Sequence, residues 1–113
     1  MAIDEGLAQL MRDDLIDLDG LEEKRMFGGL AFLSFGHMVC GVHKDGAMYR
    51  VGKEHYPAAL DIPGVHEMQF TGRPMSGMVE VAPEDFADDG LRAQLTQMAL
   101  GFVRSLPPKP GKS

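Results

Sequence analysis

The run GLAFLSFGHMVCGVHKDGAMYRV, residues 29–51, decides the fold of this chain. From Gly29 to Phe35, Leu30 and Phe32 alternate with Ala31, Leu33 and Phe35, the two-residue period of a strand. Gly36-His37 is a short turn signal. His37–His43 reads as the next strand, with Met38, Cys40 and Val42 on one face. Lys44-Asp45-Gly46 is a hairpin turn, because Asp-Gly tolerates positive φ. The chain then returns through Ala47–Val51, with Ala47, Tyr49 and Val51 sharing a face. Three strands joined by two tight turns make an antiparallel meander.

The flanks supply the covering helices. Ile3, Leu7, Leu10, Met11, Leu15 and Leu18 recur at helical steps, predicting an amphipathic helix over 3–19 with Gly20 as its stop. Beyond the meander, 53–60 reads as a short helix limited by Pro57, followed by a loop at 61–64. Residues 67–71 and 77–82 read as two more strands around a Gly72-Arg73-Pro74 turn. A final helix starts at Pro83, with an interruption expected at Gly90. Its apolar stripe is Phe86, Leu91, Leu95, Met98, Ala99, Phe102, Val103 and Leu106. Glu84, Asp85, Asp88 and Asp89 crowd its N-terminal end and Arg104 lies in its last turn, as the helix dipole favours. The order is α-β-β-β-α-β-β-α. The expected fold is α+β, a two-layer sandwich with an antiparallel sheet of about five strands and helices on one face. Residues 1–106 form one domain, and 107–113, after Pro107-Pro108, are expected to be a disordered tail.

Composition narrows the function classes. A chain of 113 residues with 44% apolar content can bury a core without staples. Cys40 is the sole cysteine, so an internal disulfide is impossible and a reducing, cytoplasmic setting is expected. The acidic N-terminus lacks a signal-peptide pattern, and no apolar run is long enough to span a bilayer. The net charge of −6 opposes unaided nucleic-acid binding.

No catalytic set emerges. His37, His43, His55 and His66 lack ligand spacing, and the odd separation of His37 and Cys40 sends them to opposite faces of a regular strand. Cys40 reads as a buried apolar residue between Val39 and Gly41. Neither Ser34 nor Ser76 lies in a nucleophile elbow. Gly28-Gly29 lacks the spacing of a phosphate or dinucleotide loop, and no cofactor is expected. Two adjacent glycines at a strand entrance mean a bend or a close backbone approach. The basic residues Lys24, Arg25, Arg50, Lys53 and Arg73 fall in the strand region, and Arg25 and Arg73 are expected to converge at one rim of the sheet. Met26, Met38, Met48, Met68, Met75 and Met78 also fall there, as core filling or as an adaptable contact surface.

The order of Met26-Phe27-Gly28-Gly29, the Asp45-Gly46 turn, Met48-Tyr49-Arg50-Val51, Gly72-Arg73-Pro74-Met75 and Met78-Val79-Glu80-Val81 before Pro83-Glu84 resembles the N-terminal domain of the TfoX/Sxy family of competence regulators. The likeness runs from about residue 7 to 106 and implies a two-layer α+β fold similar to secretion chaperones and YjbR-like proteins. Named members are bacterial co-activators working with the cAMP receptor protein, and carry a C-terminal helical domain. This chain resembles the N-terminal domain alone. The family offers no established catalytic residues. The resemblance therefore implies a non-enzymatic regulatory or adaptor domain acting through protein contacts. Arg25, Met26, Phe27, Gly28, Gly29, Arg73 and Met75 are the candidate partner contacts, and the sheet face away from the helices is a candidate surface for a homodimer. The alternative is a small-molecule-binding domain, or an enzyme, with a pocket between sheet and helices.

Overall fold

The computed structural model describes residues 5–26, 29–43, 46–70 and 73–106, with backbone alone for Met26, Gln69, Phe70 and 73–76. Helix α1 spans Glu5–Asp14 and is followed by strands β1 (Leu21–Met26), β2 (Gly29–Ser34), β3 (His37–His43) and β4 (Gly46–Arg50). Helix α2 (Gly52–Leu60), strands β5 (Val65–Phe70) and β6 (Arg73–Val81), and helices α3 (Pro83–Phe86) and α4 (Asp89–Arg104) complete the order. The six strands form one antiparallel sheet in the order β1-β2-β3-β4-β6-β5.

The α+β architecture is the expected one, with a sixth strand in addition. Strand β1, Leu-Glu-Glu-Lys-Arg-Met, has four consecutive charged residues and no alternation to betray it. It lies at the sheet edge and, among the described residues, pairs with β2 alone, so neither of its faces needs a regular apolar pattern. Helix α1 is shorter than the periodicity predicts. It ends at Asp14, and the chain continues in tight turns, Leu15 N–H to Arg12 C=O at 3.2 Å and Leu18 N–H to Leu15 C=O at 2.9 Å. Those turns keep Leu15 and Leu18 in line with the helical stripe, so the apolar spacing survives while the helix does not. Arg73 and Pro74, expected in a turn, belong to β6. The final helix breaks before Gly90, at Ala87-Asp88, where the Asp88 carboxylate accepts the N–H groups of Gly90 (2.9 Å) and Leu91 (3.2 Å) as an N-cap. The expected Lys44-Asp45 turn, Gly72 and the 107–113 tail lie outside the described residues.

Register explains the layering. One row across the sheet is Leu30, Val42, Ala47, Val81 and Val65, and another is Phe32, Cys40, Tyr49 and Val79. All of these are buried in one core cluster with Leu7, Met11, Leu15, Phe86, Leu95 and Ala99. Each such large side chain contributes roughly 1.5–3 kcal/mol by leaving water. Helix α4 packs on β3 and β4, α1 on β3, and α2 on β5 and β6. The row between them, Ala31, Gly41, Met48 and Glu80, faces the other way. Met48 is only 3% exposed because its methyl group lies over Gly41, where a side chain would collide with it.

A bulge sits in β3. Phe32 pairs with Cys40 but Leu33 pairs with Met38, leaving Val39 as the extra residue. Met38 is thereby turned to the face opposite Cys40 and Val42, correcting the expectation that the three share a side. His37, opposite Ser34, comes to the helix side with Cys40, so the parity argument that separated those two fails here.

Candidate functional site

The expected contact residues do not form one site. Arg25 is exposed near the end of the edge strand β1. Its row runs through Leu30, Val42 and Ala47 to Val81, the C-terminal end of β6. Arg73 begins β6 at the other end of that strand. Four strand spacings separate β1 from β6, on the order of 20 Å across the sheet. Arg25 and Arg73 therefore do not converge at a rim. Met26 and Met75 lie within β1 and β6, and Phe27 and Gly28 lie outside the described residues. Gly29 opens β2, where a side chain would run into the Val42 carbonyl oxygen. Close backbone approach to β3, one of the two sequence readings, is what this glycine provides.

The described residues line a cleft of about 610 Å³ between the sheet and helices α2 and α4, in the kind of place where the alternative sequence reading put a pocket. It opens where β4 passes into α2. Arg50 ends β4, and the chain turns at Val51, whose N–H donates to the Gly77 carbonyl at 2.8 Å. Gly52 (φ +84°) and Gly77 (φ +91°) face each other across this turn in the left-handed region. A side chain on Gly52 would overlap the Phe102 ring, so glycine also lets α4 close against the start of α2. Lys53, Glu54 and His55 from α2 line one wall, and Met78 and Phe102 supply apolar surface. The Arg50 guanidinium carbon lies 5.2 Å from the Phe102 ring centroid.

Two other arginines sit over phenylalanine rings, Arg12 over Phe32 at 6.0 Å and Arg92 over Phe86 at 5.6 Å. Both are tied to carboxylates. Arg12 donates from both Nε and Nη2 to Glu23, the latter at 2.9 Å. That bond holds the Glu23 carboxyl below its ordinary range and raises the guanidinium of Arg12. Arg92, 7% exposed, donates to Asp14 (2.9 Å), Asp89 (2.6 Å) and the Phe86 carbonyl (3.0 Å). Among the described residues Arg50 has no carboxylate partner. Among the described residues Glu23 pairs with Arg12, and Glu80 lies 3.1 Å from His43 Nε2.

Cys40 is 1% exposed, and burial pushes its thiol far above the ordinary cysteine range. A thiol held neutral in the core is a packing group, not a nucleophile. Burial likewise raises the Tyr49 phenol, whose ring meets Phe86 at a centroid distance of 6.4 Å. Ser34 ends β2 and donates from Oγ to the Asp19 carbonyl at 2.9 Å. Its hydroxyl ties the segment after α1 to the sheet. Among the described residues no helix is long and apolar enough to cross a membrane.

A search of curated proteins and a search of solved structures each return no match. The family model described as the TfoX N-terminal domain matches residues 13–103, a span from the end of α1 through nearly all of α4 that takes in every strand. Since that match covers most of the chain and its secondary structure follows the order anticipated for such a domain, this protein belongs to the TfoX N-terminal domain family.

Proposed function

We propose that this domain is a non-enzymatic, competence-regulator-like adaptor that acts in the cytoplasm through contacts with another protein. Membership of the TfoX N-terminal domain family is the observation that carries the reading. The edge strand β1 supports it. Among the described residues no strand pairs with its outer edge, and Glu22, Glu23, Lys24 and Arg25 are all exposed, so a partner strand can add there while side chains of both signs set its register. The primary contact is the end of β1 with the Arg25–Gly29 segment. Arg73 and Met75 form a second, separate contact, because the topology holds them at the far end of β6.

The test is affinity capture of the tagged protein from nuclease-treated lysate of its own host. Arg25→Ala is expected to weaken capture of a stoichiometric partner while leaving the fold intact. Arg73→Ala, assayed separately, reports on the second contact alone. Undiminished capture by the Arg25 variant would remove β1 from the interface, and clean recovery of the bait alone would argue against the adaptor reading itself.

A further inference from the structure

We infer that the cleft beside Arg50 binds a small organic anion, one that presents a carboxylate or phosphate to the guanidinium and lays an apolar body against Phe102 and Met78. The inference goes beyond the adaptor reading and does not depend on it. It starts from the comparison of the three arginines that sit over phenylalanine rings. A guanidinium carries five N–H donors and no acceptor. For Arg92 and Arg12 those donors are met by carboxylates of the same chain. Arg50 is half-buried, lines a cavity and has no such partner among the described residues. A partly desolvated charge without a counter-charge is costly unless something anionic reaches it.

The cleft suits such a visitor. Its 610 Å³ lies within the range of small-molecule sites, about 300–1,000 Å³. Phe102 supports the guanidinium at 5.2 Å, which orients its donors without consuming them. Lys53 and His55 add basic groups to the same wall, against the single carboxylate of Glu54. The protein as a whole carries a net charge of −6, so a basic cleft runs against the overall field. A planar fork matches a carboxylate or phosphate with two parallel hydrogen bonds, which a neutral amide cannot reproduce.

The test uses benzoate and phenyl phosphate as anionic probes and benzamide as the neutral control, followed by amide chemical shifts of the full chain at about 0.15 M salt, where weak surface attraction is screened. Saturable shifts at Gly52, Lys53, Gly77 and Phe102, which line the cleft, are expected with one or both anions, at a Kd on the order of 1 mM. The better-bound anion assigns the headgroup as carboxylate or phosphate. Arg50→Gln is expected to weaken binding roughly tenfold or more, with Arg50→Lys intermediate because it keeps the charge and loses the fork. The inference is overturned if neither anion shifts the cleft, if benzamide binds as well, or if either folded Arg50 variant binds with unchanged affinity. The wild-type titration decides the matter alone should a variant fail to fold.

Discussion

Arg92 and Arg50 occupy opposite situations in one small domain. Both lie over a phenylalanine ring, at 5.6 and 5.2 Å. Arg92 fastens α4 to Asp14 at the end of α1 and to the Phe86 carbonyl of α3, and its donors are used within the fold. Arg50 stands at the mouth of a cleft with its charge unanswered among the described residues. The same residue type with the same aromatic neighbour is a structural tie in one place and a recognition group in the other. What separates the two is whether, among the described residues, a carboxylate folds back to within hydrogen-bond reach.

The comparison breaks most visibly at Arg92. Arg92→Gln is expected to cost about 3 kcal/mol, the low end for disrupting a buried pair because Asp14 is partly and Asp89 almost fully solvated. Urea unfolding checks it, and a loss no larger than that of an Arg50 variant would erase the distinction. Next is Gly52→Ala, which places a side chain at φ +84° and against the Phe102 ring that supports Arg50. A loss of about 2 kcal/mol is expected from strain and overpacking together. Calorimetry measures it, and chemical shifts in the cleft should move with it.

Arg50→Gln should cost under about 1 kcal/mol of stability, since only an aromatic contact is lost. A larger loss would make Arg50 a structural residue like Arg92. The smallest effect belongs to the surface tie between Arg12 and Glu23, whose side chains are 34% exposed. Glu23 titrates below its ordinary value of 4.5, mainly through its bond from Arg12, so it stabilises the fold above that value. The contribution is lost as pH falls through the depressed folded value. Glu23→Gln should therefore be less stable than the wild type at neutral pH by about 0.5 kcal/mol or less, with the two converging in acid. Stability curves from pH 7 down to about 2 would show the gap closing.

Legibility in the sequence followed the strength of local patterning. The meander of β2, β3 and β4 was readable because alternating side chains and a turn dipeptide encode strands locally. Strand β1 is not, because an edge strand whose residues Glu22 to Arg25 are all exposed carries no alternation. The bulge at Val39 is hidden for a related reason. One inserted residue sends Met38 to the face opposite Cys40, and no local pattern of residue types marks it. Arg25 and Arg73 looked alike because each adjoins a Gly/Met-rich turn, whereas sheet order alone sets them on strands β1 and β6. The cleft had a faint signal in Val51-Gly52-Lys53, a glycine opening a helix directly after a strand, but its partner Phe102 is fifty residues away.

The sequence by itself determined the α+β class, the apolar stripes of α1 and α4, the buried state of Cys40 and the family, since each rests on periodicity or on the order of short motifs along the chain. Tertiary structure alone decided the sheet order, the separation of Arg25 from Arg73, and which arginines find a carboxylate. Those depend on contacts between residues far apart in sequence, such as Asp14 with Arg92 and Arg50 with Phe102, and no local pattern of side chains fixes which distant groups meet when the core closes.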